Sequence, residues 1–263
     1  MYAFEYQRPK SVAEAVAALA KSGGKALAGG QSLVGAMKLR LANPGTLVDL
    51  SGITELKGIK KEGDAIVVGA LTTHAEVASS SVVKQALPAL AAVAEGIGDR
   101  QVRNRGTLGG SIANNDPAAD YPAAVLGLGA TVHTNRRKIA ADDFFRGMYE
   151  TALAADEIVT AVSFPVPKKA GYAKFPQPAS RFALVGVFVA QTGGGVRVAI
   201  TGAASHVHRA SAIEAALAKS FTAEAAKAVK IPADRLNNDL HASAEYRAHL
   251  VSVMASRAVA AAG

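Results

Sequence analysis

No cysteine occurs anywhere in the 263 residues, so this chain holds no disulfide, no zinc–thiolate site, no thiol nucleophile and no iron–sulfur cluster of its own. Any redox chemistry it takes part in has to reside on an organic cofactor. Tryptophan is also absent, and aromatics make up 5% of the residues although half are apolar. The core must therefore be filled by small aliphatic side chains, with close-packed helices on sheets, which favours an α/β or α+β protein. No apolar run reaches the roughly eighteen residues of a membrane-spanning helix. The opening Met1-Tyr2-Ala3-Phe4-Glu5-Tyr6 lacks the charged-then-apolar profile of a secretory signal, and a cytoplasmic location is expected.

Acidic residues are in deficit: 21 against 29 lysines and arginines, a formal net charge of +8. The densest basic runs, Arg100, Arg103 and Arg105, then Arg136-Arg137-Lys138, are not interleaved with aromatics and do not line one helix. Nucleic-acid binding is therefore not expected. A solvated basic surface suited to an acidic partner is.

What is present is a pair of glycine-rich, uncharged segments about eighty residues apart, Ala28-Gly29-Gly30-Gln31-Ser32-Leu33 and Thr107-Leu108-Gly109-Gly110-Ser111-Ile112. Each sets two adjacent glycines beside a hydroxyl, so each can bring bare backbone N–H groups and an O–H against an anion such as a pyrophosphate. The alternative is an ordinary turn that binds nothing. Two familiar phosphate templates fail. Gly30 and Gly35 have the Walker spacing, but Ala36 and Met37 follow where Lys and Ser or Thr are required. Gly96-Ile97-Gly98 and Gly127-Leu128-Gly129 both lack the third glycine of a Rossmann fingerprint.

Around these segments helix and strand alternate. Ser11 caps a helix through Lys21, with Glu14 placed for a capping box. Lys25 to Ala28 reads as a strand entering the first glycine segment, Leu33 to Leu41 as a helix, and Thr46 to Leu50 as a strand. Gly58 to Gly69 forms two strands about a Glu-Gly-Asp turn. Helices are expected from Thr72-Thr73-His74, over Leu87 to Ala94 and over Asp120 to Leu128, with a strand over Ala130 to Thr134. Phe164-Pro165-Val166-Pro167 reads as a stiff linker. Beyond it come strands at Gly171 to Phe175, Phe182 to Gln191 and Val196 to Gly202, then helices at Arg209 to Lys219, Thr222 to Lys230 and Ser243 to Ala260. The expected units are residues 1–57, 58–167 and 168–263.

Past the second segment, Asn114, Asn115, Asp116 and Asp120 follow in order. Asp120 suits hydrogen bonds from sugar or ribityl hydroxyls, or a cap on the helix at Tyr121-Pro122. His206 and His208 form a His-x-His pair without a third ligand nearby in sequence, and are read as surface residues. His74, His133, His241 and His249 stand alone.

The run from Asp99 to Asp120, DRQVRNRGTLGGSIANNDPAAD, together with the upstream Ala-Gly-Gly-Gln-Ser-Leu, closely resembles the FAD-binding medium subunit of molybdenum hydroxylases, the family of aerobic carbon monoxide dehydrogenase and of the flavin domain of xanthine dehydrogenase. The resemblance extends over Phe144 to Leu153 and Asp156 to Pro165, essentially the whole chain. It implies an α+β protein with the PCMH/vanillyl-alcohol-oxidase-type FAD-binding fold, two α/β subdomains plus a C-terminal α+β domain. Carried over by position, Ala28, Gly29, Gly30, Gln31, Ser32 and Leu33 hold the FAD pyrophosphate with Thr107, Leu108, Gly109, Gly110 and Ser111. Asp120 binds cofactor hydroxyls, Ile97 and Val159 make apolar contacts, and Lys174 falls at the family's FAD-contacting lysine. No catalytic residue and no metal ligand is expected from this chain.

The implied function is that of an oxidoreductase subunit that passes electrons from a small 2Fe-2S subunit through FAD to an external acceptor. Substrate chemistry belongs to a large molybdopterin subunit, in a dimer of heterotrimers. Ser111 departs from the asparagine of many relatives, and the short hairpin from Thr134 to Ile139 weakens any partner contact assigned to that loop. A stand-alone FAD-dependent oxidoreductase of the same fold and a non-enzymatic basic binding module are the alternatives. A colourless protein that cannot be reconstituted with FAD would point to the last.

Overall fold

The computed structural model describes residues 1–263. Three sheets organise the chain. The first is parallel, in the order β1-β3-β2, built from β1 (Glu5–Gln7), β2 (Lys25–Leu27) and β3 (Thr46–Asp49) with α1 (Val12–Ser22) and α2 (Leu33–Lys38) as crossovers. The Ser11 hydroxyl accepts the Glu14 N–H as expected, but Glu14 takes the N–H of Lys10 rather than of Ser11. α2 stops three residues short of Leu41, and β1, exposed at all three residues, carries no apolar alternation by which its sequence could announce it.

The second sheet is antiparallel, in the order β4-β5-β10-β6-β7. Its strands are β4 (Ile59–Glu62), β5 (Ala65–Gly69), β6 (Thr131–Thr134), β7 (Lys138–Ala140) and β10 (Val159–Pro165). Between β5 and β6 lie α3 (His74–Ser79), α4 (Ser81–Ala86), α5 (Pro88–Glu95), α6 (Arg100–Arg103), α7 (Leu108–Asn114) and α8 (Tyr121–Gly127). The one-turn α9 (Ala141–Phe144) precedes a small ribbon of β8 (Phe145–Gly147) and β9 (Glu150–Thr151). Thr73 and Glu76 close a reciprocal capping box on α3. Phe164 and Pro165 are not a linker: they pair with Ile66 and Ala65 at the end of β10, and Phe164 is fully buried.

The basic hairpin between β6 and β7 is tied down internally. Arg136 pairs with Asp156 and Arg137 with Glu157, and Arg137 together with the Thr134 hydroxyl and the Ala154 N–H holds the Glu157 carboxyl down at about 2. That run is therefore not the freely solvated surface its composition suggests.

The third sheet, β11 (Lys169–Pro176), β12 (Ala183–Thr192), β13 (Gly195–Thr201) and β14 (His208–Arg209), is antiparallel in that order. One face is covered by α10 (Ser211–Lys219), α11 (Ala223–Lys227) and α12 (Ala244–Ala261), with Val185, Val187 and Val189 of β12 packed in one core with Met254 of α12. From the other face Phe188, Ala190 and Ala199 enter the core of the second sheet unit. The close approach needs Gly127, where a Cβ would lie 2.8 Å from the Phe188 ring. Main-chain bonds add to this seam: Gly202 N–H to Pro117 O at 2.8 Å and Ala183 N–H to Ala118 O at 3.3 Å, with the Thr201 hydroxyl on the carbonyls of Pro117 and Ala119.

Candidate functional site

The two glycine segments meet. Gly29 lies against the chain entering the second segment so tightly that a Cβ there would sit 2.0 Å from Arg105 O and 2.8 Å from the Gly106 Cα. A Cβ on Gly110 would sit 3.3 Å from the Ala28 Cβ. Eighty residues of sequence are thus folded back into direct backbone contact.

What the segments offer a ligand differs. The N–H groups of Gly29, Gly30, Gln31, Ser32 and Leu33 have no acceptor within the chain; Gly30 has φ +74°, the left-handed conformation that glycine adopts without strain. Gln31 and Ser32 are exposed, and the Ser32 hydroxyl does not cap α2. This is a run of bare donors at a helix start, which suits an anion. The second segment is the first turn of α7 rather than an open turn. There Leu108 N–H binds Thr72 O, Gly109 N–H binds Ala70 O at 2.8 Å, and Gly110 N–H binds the Thr107 hydroxyl that caps the helix. The expectation of bare backbone donors therefore fails at Gly109 and Gly110. Gly109 is a glycine because a Cβ would lie 2.8 Å from both Cα and O of Ala70. The Thr107 hydroxyl hydrogen and the Ser111 hydroxyl remain as donors from this segment.

Asp120 does not cap α8. It sits in helical conformation and its side chain bonds none of the helix N–H groups. Instead its buried carboxylate receives the Lys174 ammonium at 3.0 Å and the Tyr172 hydroxyl. Tyr172 and Lys174 are two apart on β11, so both point to the same face, and Lys174 also donates to Gly96 O at 2.8 Å. Burial pushes the Asp120 carboxyl up, opposed by Lys174 and Tyr172. Burial and the neighbouring carboxylate push the Tyr172 phenol well above its ordinary value, so it donates as a neutral hydroxyl.

Beside this pair opens a cleft of about 500 Å³ lined by Glu95, Gly96, Gly98, Arg103, Lys174 and Arg181 with Pro176, Gln177 and Pro178. Arg103 and Arg181 both donate to Gly98 O, and Arg103 also to Ile97 O and to Glu95. Its charged side chains are three cations, Arg103, Lys174 and Arg181, and one acid, Glu95. Ile97 is half-buried against the central core, while Leu108 and Val159 are fully or nearly fully buried within it.

Sequence reasoning missed His74. Its ring is buried with Nδ1 unpartnered, 5.2 Å between centroids from Tyr121, whose hydroxyl is likewise buried without a partner. A Cβ on Gly106 would lie 2.4 Å from His74 Nε2, which places the imidazole under the junction of the two segments. Burial, then the charge of Arg103, lowers its pKa to about 4. Its only local signal is the Thr72-Thr73-His74 helix start, which says nothing of the junction beneath which it sits.

Two converging glycine segments, one with free N–H donors, beside a cleft between sheet units have the features of a site for an anionic cofactor. Residues 2–167 match the family described as the FAD binding domain in molybdopterin dehydrogenase. The chain is 38% identical to the carbon monoxide dehydrogenase medium chain of Hydrogenophaga pseudoflava, over 98% of this chain and 96% of that one. It is 37% identical to the nicotine 6-hydroxylase medium subunit of Paenarthrobacter nicotinovorans, over 99% and 98%. Carbon monoxide dehydrogenase from Hydrogenophaga pseudoflava superposes with a TM-score of 0.90 at 40% identity, over 99% of this chain and 97% of that one. Quinoline 2-oxidoreductase from Pseudomonas putida 86 gives 0.89 at 30% identity, over 99% and 97%. The chain belongs to the FAD-binding medium-subunit family of the molybdenum hydroxylases. It is the flavoprotein subunit of an oxidoreductase, its cofactor is FAD, and its relatives work as parts of multi-subunit enzymes. No helix is long and apolar enough to cross a membrane.

Proposed function

We propose that this chain grips the FAD diphosphate with the five unpaired N–H groups of Gly29 to Leu33, helped by the hydroxyls of Ser32, Thr107 and Ser111, and relays electrons between protein partners and an external acceptor. The observation that carries the reading is that uninterrupted run of free donors, held by Gly29 against Arg105 and Gly106 where the chain enters the second segment. Anions bind such backbone concavities because the N–H dipoles are fixed in advance and need no reorganisation.

The remaining contacts follow the cleft. Asp120 offers acceptors to cofactor hydroxyls while Lys174 keeps its charge compensated, and Lys174 brings a cation to the cofactor's edge. Ile97 supplies an apolar edge, and Gly109, Gly110, Leu108 and Val159 shape the floor through backbone and packing. FAD, when bound, supplies a redox centre able to take electrons singly and release them singly or in pairs. This chain's own residues bind, orient and set the charge around it. In this reading the 2Fe-2S clusters, which a chain without cysteine cannot ligate through thiolates, belong to a small partner and the molybdopterin chemistry to a large one, in a dimer of heterotrimers. In this assignment residues 1–57 and 58–167 are the two cofactor subdomains and 168–263 the domain covering them.

The chain purified with its partners is expected to carry stoichiometric FAD, identified by absorbance after denaturation. Anaerobic reduction should bleach iron–sulfur and flavin bands together. A complex without flavin that cannot be loaded with added FAD overturns the reading.

A further inference from the structure

Gly106 is gripped from two directions in sequence. The first glycine segment presses on its main chain, since a Cβ on Gly29 would lie 2.8 Å from the Gly106 Cα, and the place of its own missing Cβ is filled by the His74 ring, 2.4 Å to Nε2 and 2.8 Å to Cδ2. Gly106 is not among the glycines with positive φ, so its backbone would accept a side chain. The imidazole is the one neighbour closer than 3.0 Å to that position.

The ring is fixed there by its own backbone. His74 N–H donates to Gly106 O at 3.0 Å and Leu108 N–H to Thr72 O at 3.1 Å, with Thr73 and Thr107 bridged antiparallel between them. The capping box of Thr73 and Glu76 sets the start of α3 at this clip. Polar contacts add little to the ring itself. Its Nδ1 is buried without a partner, and so is the hydroxyl of Tyr121, whose ring lies 5.2 Å away between centroids at an interplanar angle of 53°. Orphaned buried polar atoms cost stability, so the contact acts through shape, as a rigid ring packed between Tyr121 and Gly106. Tyr121 directly follows Asp120. One buried side chain thus spans from the residue beside that carboxylate to the junction of the two glycine segments.

Close-packed neighbours pass displacement on. Without the ring Gly106 loses its backing, and the donors of Gly29 to Leu33 lose the fixed geometry that makes free N–H groups hold an anion. We infer that His74 is a positioning residue of the FAD site, its ring setting the height of Gly106 against Gly29 and thereby the aim of the diphosphate donors. This role rests on the function proposed above.

The test is a double-mutant cycle read in FAD affinity, on the full chain recovered with its partners, freed of flavin and titrated with FAD, with a thermal melt of each flavin-free variant. His74→Ala should raise the Kd for FAD by on the order of tenfold, and Gly106→Ala, which drives a Cβ into the ring, should do the same. In the double variant the new methyl enters space that the imidazole has left, so its Kd should lie below that of either single variant; losses that multiply instead overturn the role. Tyr121→Phe removes an unpartnered hydroxyl and keeps the ring, so its Kd should match wild type while its melting temperature holds or rises. Weaker FAD binding there would show that the polar atom serves the cofactor, and overturns the packing role. If His74→Ala does not fold, Gly106→Ala decides alone. A wild-type Kd at a lowered melting temperature in either single variant makes the contact structural only and overturns the role. Ser32→Asp, titrated alongside, reports on the diphosphate cradle itself: wild-type affinity in that variant overturns the cradle and the role of His74 with it, whereas every outcome above leaves the cradle standing.

Discussion

Lys174 places its ammonium 3.0 Å from the carboxylate of Asp120, with side chains 11% and 5% exposed, and the two residues come from different sheet units 54 positions apart. The pair therefore joins the entrance of α8 to the third sheet, beside the cleft that Lys174 helps to line. Removing one partner of a buried ion pair strands the other. Asp120→Ala is expected to destabilise the chain by about 3 kcal/mol as well as to weaken FAD retention. Denaturant titration of flavin-free protein separates the two effects. A variant that loses FAD at unchanged stability would show that the pair serves the cofactor alone.

Gly29→Ala tests the junction. Its Cβ would fall 2.0 Å from a main-chain carbonyl, which cannot swing aside as a side-chain tip does, so a loss of about 1–3 kcal/mol is expected, together with weaker FAD binding. Isothermal titration with FAD and a thermal melt on the same preparation measure both. Gly110→Val is a poorer probe, because its Cβ lies 2.8 Å from the Thr107 hydroxyl and so disturbs the helix cap before any ligand arrives.

Ser32→Asp isolates electrostatics. The position is exposed and is the fourth of the five unpaired donors, so a carboxylate there is tolerated by the helix start and repels a diphosphate. Flavin content should fall at least tenfold while the melting temperature of the flavin-free protein stays level or rises. Full flavin content in this variant would move the diphosphate elsewhere.

Acid should weaken the fold through His74. The folded imidazole resists protonation down to about 4, against the ordinary 6.5, so between these values the unfolded chain binds more protons. Stability is complete above pH 6.5 and falls as pH drops towards 4, by roughly 3 kcal/mol in all. Urea midpoints at about pH 4.5 and 7 should differ more for wild type than for His74→Gln. Equal differences would assign the acid sensitivity to other groups.

How much of this was legible depended on how local the cause was. The free donors of Gly29 to Leu33 follow from two glycines and a helix start adjacent in sequence, and reading them needed nothing distant. The donors of Leu108 and Gly109 are consumed by Thr72 and Ala70, some forty residues earlier, and no local pattern shows that. Asp120 and Lys174 were each recognisable by the family resemblance, yet their pairing depends on how the third sheet packs against the start of α8. β1 was invisible because an exposed three-residue strand has no periodicity, and α4 and α6 because one or two turns give too little. Phe164-Pro165 misled for the opposite reason: a proline pair looks like a linker, although a strand end tolerates it.

The seam between the second and third sheet units has a consequence for modularity. Pro117, Ala118 and Ala119, the three residues leading into Asp120, are held by Gly202, Ala183 and Thr201, so the aspartate is aimed from outside the region that carries the glycine motifs. A chain ended after residue 167 would keep both motifs and still be an incomplete flavoprotein, with Phe144 and Phe164 left under a missing roof of Phe188, Ala190 and Ala199. Recombination among relatives should therefore succeed when residues 168–263 travel with the matching 117–127 segment, and yield insoluble protein when they do not; soluble, flavin-loaded chimaeras broken at that seam would contradict this. The inheritable unit is the seam, not the motif.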